Sequence, residues 1–308
     1  VNNFLVTGGA GFIGAAVARS LLNEGHRVVI IDNLSTGYLE NIPEGAEFIR
    51  GFCEDQELVN TLRLEKFEAI YHIAGQSSGE ISYDDPVLDM QANVQSTLVL
   101  LKFAVETGCK TFIYASSMSV YGNTEKLPVT ENTPTLPVSF YAVGKLASEH
   151  YLRIFQTDAI KTVALRLFNV YGEGQNLENL RQGMASIFLA QAIKSGNIVV
   201  KGSPERFRDF IHVSEVVQAF RKAADASVPS GIYNVCRGEK VSVQEVLDII
   251  NSNLPSEAGI TYTEGTPGDQ FGIFGNPELF ESVFQMKSRI DFKTGMGNMI
   301  KWAINKLK

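Results

Sequence analysis

Metal-binding and cross-linking residues are scarce in this chain. Its three cysteines, Cys53, Cys109 and Cys236, are far apart and odd in number. They form neither a metal spacing nor a disulfide framework. The four histidines, His26, His72, His150 and His212, are equally scattered, so no metal is expected. Positive charge is also short. The 27 Lys and Arg stand against 34 Asp and Glu, a formal net charge of -7. No broad basic field exists to hold a phosphate backbone, which excludes nucleic acid as a partner. An anionic small molecule would have to be held by a few local cations. No apolar run reaches the roughly 20 residues of a membrane span, and no charged leader with a cleavage site precedes the first strand pattern. The expectation is a cytoplasmic protein with reduced thiols and no membrane partner.

What is present is ordinary for a globular chain: 44% hydrophobic and 20% charged residues over 308 positions, room for one large domain or a domain with a smaller lobe. Strand and helix signals alternate from the start. Strands are expected at 3–7, 27–31, 47–50, 69–73, 111–115 and 162–167. Helices are expected at 12–23, 54–64, 87–107 and 140–155. This alternation implies an α/β fold, a parallel sheet covered on both faces. Beyond about residue 170 the pattern loosens. Residues 172–183 read as a loop, followed by helices at 184–194, 214–224 and 243–251 with short strands between and after them. That part is expected to form a smaller, mixed α/β lobe. No Gly/Ser-rich or Pro-rich linker separates the two parts.

Thr7-Gly8-Gly9-Ala10-Gly11-Phe12-Ile13-Gly14 joins the first strand to the first helix. Gly8, Gly11 and Gly14 have GxxGxxG spacing. The first permits a tight turn, the second lets a pyrophosphate approach the backbone, and the third allows close helix–strand packing. The helix N-terminus then offers N–H groups and partial positive charge to the phosphates. Asp32 ends the second strand, 24 residues after Gly8. There an acid accepts hydrogen bonds from ribose hydroxyls and repels a 2′-phosphate, which favours NAD over NADP. The fold expectation sharpens to a Rossmann-type doubly wound sheet, with residues 1–170 binding NAD. Residues 171–308 form the substrate lobe, and some of its elements return to the first domain.

Tyr141 and Lys145 are four residues apart, so on a helix their side chains share a face. A phenol with a pKa of about 10 becomes a base near neutrality only if its phenolate gains roughly 4 kcal/mol of preferential stabilisation. A nearby ammonium and a cationic nicotinamide supply it. Alone, Tyr-x-x-x-Lys commonly marks no more than a solvated helix face. Here it follows the segment from Tyr114 to Gly122, in which Ser116, Ser117 and Ser119 leave a strand at its carboxyl end, where open α/β sheets bind ligands. Ser117 can bond a substrate hydroxyl and help relay its proton. For Ser116 and Ser119 a plain turn role competes.

Together these residues resemble the extended short-chain dehydrogenase/reductase family, and within it the nucleotide-sugar 4-epimerases of the UDP-galactose type. The resemblance covers nearly the whole chain. It includes the glycine loop, Asp32-Asn33-Leu34-Ser35-Thr36-Gly37, His72-Ile73-Ala74-Gly75, Asn93, the serine segment, Tyr141 and Lys145. It continues through residues 166–172, 208–213 and Pro267-Gly268-Asp269. It implies Ser117, Tyr141 and Lys145 as the catalytic group. It implies NAD contacts from Gly8, Gly11, Phe12, Ile13, Gly14, Asp32, Asn33, Ser35, Thr36, Gly37, Cys53, Ala74, Gly75 and Asn93, besides Tyr141 and Lys145. It implies substrate contacts from Ser117, Asn169, Arg208 and Asp269, and a homodimer paired through helices 87–107 and 140–155. A guanidinium fork suits a diphosphate; the competing reading of Arg208-Asp209 is a surface ion pair.

Three departures stand out. Relatives that dehydrate sugars carry Asp and Glu after the hydroxyl residue, and those that decarboxylate carry a Glu two positions after it. This chain has Met118 and Ser119, neither of which supplies a carboxylate. Relatives often contact adenine with an Asp where this chain reads Gly51-Phe52-Cys53. Many have an Arg before Pro-Gly-Asp where this chain has Thr266, leaving Arg181 or, nearer to Arg208, Arg206 to complete the diphosphate clamp. Three readings follow. One is a 4-epimerase that oxidises C4 by hydride transfer to NAD and returns the hydride to the other face. Another is a 4-ketoreductase of a deoxy sugar nucleotide that consumes NADH or NADPH. The last is an NAD-binding protein without catalysis.

Overall fold

The computed structural model describes residues 1–181, 183–265 and 271–307. The first half alternates as expected: β1 (Asn3–Thr7), α1 (Phe12–Asn23), β2 (Arg27–Asp32), β3 (Glu47–Arg50), α2 (Gln56–Asn60), β4 (Ala69–His72), α3 (Pro86–Met90), α4 (Ser96–Thr107), β5 (Thr111–Ser117), α5 (Phe140–Phe155) and β6 (Lys161–Leu167). The second half runs β7 (Asn169–Tyr171), α6 (Met184–Ser195), β8 (Asn197–Lys201), β9 (Phe207–Arg208), β10 (Phe210–His212), α7 (Val213–Ala223) and β11 (Gly231–Val235). It closes with β12 (Val241–Ser242), α8 (Val243–Asn253), β13 (Gly259–Thr263), β14 (Gly272–Ile273), α9 (Glu278–Phe284) and α10 (Phe292–Leu307).

Seven strands form one sheet in the order β3-β2-β1-β4-β5-β6-β11, every pair parallel. The order reverses between β1 and β4, and in such sheets ligands bind beyond the strand carboxyl ends at that reversal. The strands are apolar on both faces, as parallel strands covered by helices must be. Phe4, Val6, Val28, Ile30, Ile113 and Val163 pack with α1 and α7 on one face. Leu5, Val29, Ile31, Ile70, Phe112 and Ala164 pack with α4 on the other. This period of two fixes the register, since a one-residue slip would exchange the faces. Truncating a fully buried ring such as Phe112 costs about 3–5 kcal/mol.

The sequence did not single out the edge strand β11, which returns from the second half to pair with β6, Gly231 beside Val163. Nor did it single out α10, which packs with α6 and α8 around Phe292, Met296, Met299 and Ile300 to make the core of the second half. The helix expected at 87–107 is divided. After α3 comes a π-helical turn, Gln91–Gln95, and then α4. A π turn shifts side-chain phase inside a helix, and this one leaves Asn93 buried at 1% exposure.

Candidate active site

The site is built where β1, β4 and β5 end. Thr7 closes β1, and its hydroxyl accepts from the N–H groups of Ile73 (3.1 Å) and Ala74 (3.2 Å) and bonds His72 Nδ1 at 2.8 Å. One hydroxyl thereby ties the loop after β4 to the glycine loop. Gly8 has φ +73°, and a Cβ there would lie 2.8 Å from the Ala74 nitrogen. At Gly14 a Cβ would stand 2.0 Å from the Gly8 carbonyl oxygen. Only glycine fits either place. Gly11 precedes α1 with no side-chain cap, so the first turn of Phe12 and Ile13 keeps its N–H groups for a ligand.

Asp32 is held rigidly at the end of β2. Its Oδ2 accepts from Ala10 N at 2.9 Å and its Oδ1 from Leu34 N at 2.8 Å. Each oxygen keeps a further lone pair for a ribose hydroxyl. Leu34 has φ 61°, a left-handed conformation uncommon for such a residue and a mark of functional loops. Asn33 Oδ1 accepts from Ser35 N at 2.9 Å, and Gly37 packs against Ala10, where a Cβ would come within 2.7 Å of its carbonyl. Thr36 lines a cavity of about 320 Å³ with Gly11, Phe12, Tyr38 and Gln175. The Cys53 side chain is buried with Leu5, Val29 and Ile31, and burial pushes its thiol far up. It is Phe52 that stands exposed beside it, at 52%. The residues fit a dinucleotide: an uncapped helix start, a glycine cradle that any Cβ would fill, and a fixed acid beside them.

A second cavity, about 330 Å³, shares Phe12 and Gln175 with the first and runs under the ends of β4, β5 and β6. Ser117, Tyr141 and Lys145 all line it, with Gly75, Met118, Ser119 and Asn169. Ser139 caps α5 by accepting from Ala142 N at 3.2 Å, which sets the rotation of the helix carrying Tyr141 and Lys145. Lys145 Nζ donates to the Ala115 carbonyl at 3.0 Å. It lies 4.8 Å from the Tyr114 ring centroid and 5.7 Å from that of Tyr141. Burial pulls its ammonium down to about 8, against the opposing fields of Asp89 and Glu149. Burial pushes the Tyr141 phenol up to about 12, with hydrogen bonding to Ser117 acting the other way. Without a further cation nearby, Tyr141 holds its proton.

Three residues around this group carry roles that the sequence did not reveal. Asp89 is buried, and its Oδ1 accepts from Gln76 Nε2 (2.7 Å) and Asn93 Nδ2 (3.2 Å). Asn93 Nδ2 also donates to the Gln76 carbonyl at 3.0 Å, while its Oδ1 is buried with no hydrogen-bond partner among the described residues. That oxygen lies against Gly75, where a Cβ would meet it at 2.4 Å and Lys145 Nζ at 3.5 Å. Glu149, one turn beyond Lys145, takes the Arg166 fork (2.7 and 2.9 Å) and the Ser116 hydroxyl (2.5 Å). Ser116 is therefore structural. Spacing alone gave no sign of Asp89 or Gln76. Glu149, four residues after Lys145, is the one that helical spacing could have found.

The substrate candidates are placed unequally. Asn169 opens β7 and lines the cavity; its Nδ2 donates to the Asp209 carbonyl at 3.0 Å. Arg208 and Arg206 do not line it. Arg208 Nη1 donates to the carbonyls of Phe207 (2.8 Å) and Phe271 (3.3 Å). Arg206 donates from Nε to Ser203 O at 3.3 Å and from Nη2 to Lys201 O. Asp269 and Thr266 lie outside the described residues. Arg181 bridges two loops at the surface, pairing with Asp84 at 2.7 Å and Glu80 at 3.4 Å, while its carbonyl accepts from Ser78 Oγ at 3.1 Å. Gly183, Met184 and Ala185, at the uncapped start of α6, line the same cavity as Ser117.

Comparison with known proteins bears on this geometry. The model of the NAD dependent epimerase/dehydratase family matches residues 4–236. The chain is similar to a UDP-glucose 4-epimerase of Mycolicibacterium smegmatis, 34% identical over 249 residues that cover 79% of each chain. Two solved structures superpose over almost the full length. A UDP-glucose 4-epimerase of Thermotoga maritima with UDP-glucose gives a TM-score of 0.95 at 29% identity, covering 99% of this chain and 100% of that one. A UDP-glucose 4-epimerase of Thermus thermophilus in complex with NAD gives 0.90 at 32% identity, covering 97% and 98%.

Proposed function

The chain belongs to the NAD dependent epimerase/dehydratase family, and from that premise we propose that it is a nucleotide-sugar 4-epimerase. One observation sets dehydration and decarboxylation aside, and the named relatives favour epimerisation over ketoreduction. Among the described residues that line the cavity with Ser117, Tyr141 and Lys145, none is an Asp or Glu. Loss of water or of carbon dioxide needs an added acid or base beside the sugar; oxidation and reduction at one carbon do not. UDP-sugars are the first candidates, because the M. smegmatis, T. maritima and T. thermophilus proteins are UDP-glucose 4-epimerases.

Bound NAD supplies a reversible acceptor for the hydrogen on the sugar C4. The chain's own residues do the rest. Lys145 holds positive charge beside Tyr141 and lowers the cost of its phenolate. Tyr141 takes the proton of the C4 hydroxyl, and Ser117 hydrogen-bonds the same oxygen. The resulting 4-keto sugar must turn over within the pocket, so the nucleotide end has to stay anchored. The uncapped N-terminus of α6 and Asn169 line the same cavity, and their N–H donors suit a diphosphate. The proposed substrate set keeps Arg206, Arg208 and Asp269 beside them. In this division of labour residues 1–170 hold NAD and residues 171–308 hold most of the nucleotide sugar.

We also propose a homodimer. Val87, Leu88 and Met90 on α3 and Phe140 and Val143 on α5 are exposed by 45–61%, and α3 packs on α5, giving an apolar face that a second copy can cover. The three thiols are unbridged and buried, which suits the reducing cytoplasm. Among the described residues no helix is long and apolar enough to cross a membrane. The test is product analysis with nucleotide hexoses and NAD. A C4 epimer with no net change in cofactor supports the epimerase. Net oxidation of NADH or NADPH with 4-keto sugars, and no epimer, replaces it with the ketoreductase.

A further inference from the structure

A serine hydroxyl has one hydrogen to donate and two lone pairs with which to accept. At Ser117 both lone pairs are used by one residue. Ser119 N donates to Ser117 Oγ at 3.2 Å, and Ser119 Oγ donates to it at 3.0 Å. Both donors sit in the single helical turn Met118–Tyr121 that follows β5. That turn is locked. Gly122 N donates to Ser119 O at 3.1 Å, and Gly122 has φ +60° with the Leu136 carbonyl packed where any Cβ would go. Met118, between the two serines, has its sulfur 3.7 Å from Asn169 Nδ2, so the turn is also pinned across the cavity. Ser117 is left with only its proton to offer, and the cavity it lines holds Tyr141.

We infer that Ser119 is a positioning residue that makes Ser117 a one-way hydrogen-bond donor, directed at the Tyr141 oxygen in the free site and at the sugar O4 once the sugar is bound. This rests on the epimerase reading of the site. The C4 hydroxyl O–H bond breaks to the Tyr141 oxygen, and the proton resides there until it is returned. The Ser117 proton stays on Ser117 throughout, so Ser117 stabilises the developing oxyanion instead of passing a proton along. Sequence reasoning gave Ser117 a share in the relay and left Ser119 open to a turn role; the bonding pattern separates the two functions.

Ser119→Ala removes one of the two donors and frees the Ser117 rotor. Ser119→Thr keeps the hydroxyl. The alanine variant is expected to lose about tenfold in kcat with KM for the nucleotide sugar unchanged, the scale of one directed hydrogen bond; the threonine variant restores kcat. A second readout needs no substrate. In protein loaded with NAD, the Tyr141 phenolate is titrated by ultraviolet difference absorbance against the Tyr141→Phe variant. The charged and titratable groups that bear on that phenol are Lys145 on its own helix, Asp89 from α3 and Tyr114 from β5, and all remain in Ser119→Ala. The titration is expected to move up by about one pH unit in alanine and not in threonine. An unmoved titration overturns the inference, as does equal loss in both variants, or loss confined to KM. Wild-type protein that turns over no nucleotide hexose, with the titration shift present, defeats the epimerase reading and leaves the Ser119 role standing.

Discussion

The Lys145 ammonium donates to the Ala115 carbonyl at 3.0 Å, fastening α5 to the strand that carries Ser117. The bond fixes where the positive charge stands relative to the Tyr141 ring, 5.7 Å away. Because the ammonium is buried it titrates near 8 instead of at its ordinary value of 10.5, and this has two consequences of opposite sign. Turnover needs the charged form, so it is expected to fall as pH rises through about 8. Stability responds the other way. Between about 8 and 10.5 the unfolded chain binds a proton at Lys145 that the folded chain does not, so this group's contribution rises with pH across that window. A pH–rate profile measures the first. The difference in urea midpoint between wild type and Lys145→Met at both ends of the window isolates the second, because the buried thiols of Cys53, Cys109 and Cys236 are pushed up and act with the opposite sign; that difference should grow with pH. Turnover that is flat to pH 10 would contradict the account.

Tyr141→Phe keeps the ring and loses the base. Turnover is expected to fall by about three orders of magnitude, the scale of a positioned general base, while nucleotide-sugar affinity changes little. The variant's turnover and its binding isotherm check this together. Loss of binding with normal turnover per bound site would place Tyr141 in recognition instead.

Asp89 holds Gln76 and Asn93 through one oxygen, and with them the turn that brings Ser77 and Gly79 to the cavity. Asp89→Ala leaves the buried Asn93 amide and the half-buried Gln76 amide without that acceptor, at about 1–3 kcal/mol for an unmet buried group. The expected result is a lower urea midpoint and a raised KM for the sugar nucleotide. An unchanged midpoint and KM would show the turn to be self-supporting.

The Arg166–Glu149 pair is the buried polar tie beneath the site, with Tyr121 OH donating on to Asn234 Oδ1 at 2.5 Å. Arg166→Ala strands a buried carboxylate and is expected to cost about 3–5 kcal/mol. Replacing both partners with Met should recover most of that loss, because no charge is then left unpaired. Urea unfolding of the single and double variants gives the comparison; a single variant within 1 kcal/mol of wild type would mean that water reaches Glu149.

What could be read in the sequence was what is local. Gly8, Gly11 and Gly14 announce their loop because a close turn between a strand and a helix needs glycine, and at Gly8 and Gly14 a Cβ would strike backbone. Tyr141 and Lys145 share a face because they are four apart on a helix, and Ser117 stands at a strand end that follows a run of buried apolar residues. The rest depends on contacts between distant positions. β11 joins the sheet through β6, some 70 residues earlier, and nothing in its own five residues says which edge it takes. α10 carries Gly295 and Gly297 in its interior, residues of low helix propensity; Gly295 is there because the Tyr171 hydroxyl fills the space, 2.3 Å from any Cβ. Asn93 faces inward because a π turn breaks the phase of an otherwise regular helix. Nearness to Arg208 in sequence suggests Arg206 for the diphosphate clamp, yet its guanidinium donates to backbone carbonyls of the 201–203 turn.

In the proposed reaction C4 of the sugar is oxidised and reduced again without exchange with solvent. This is tested most directly with UDP-glucose carrying deuterium at C4, incubated with the protein and NAD and followed by NMR. The expected product is a C4 epimer that keeps the deuterium on C4. An epimer with hydrogen from water at C4, or no epimer with this or any other nucleotide hexose, would contradict that reaction.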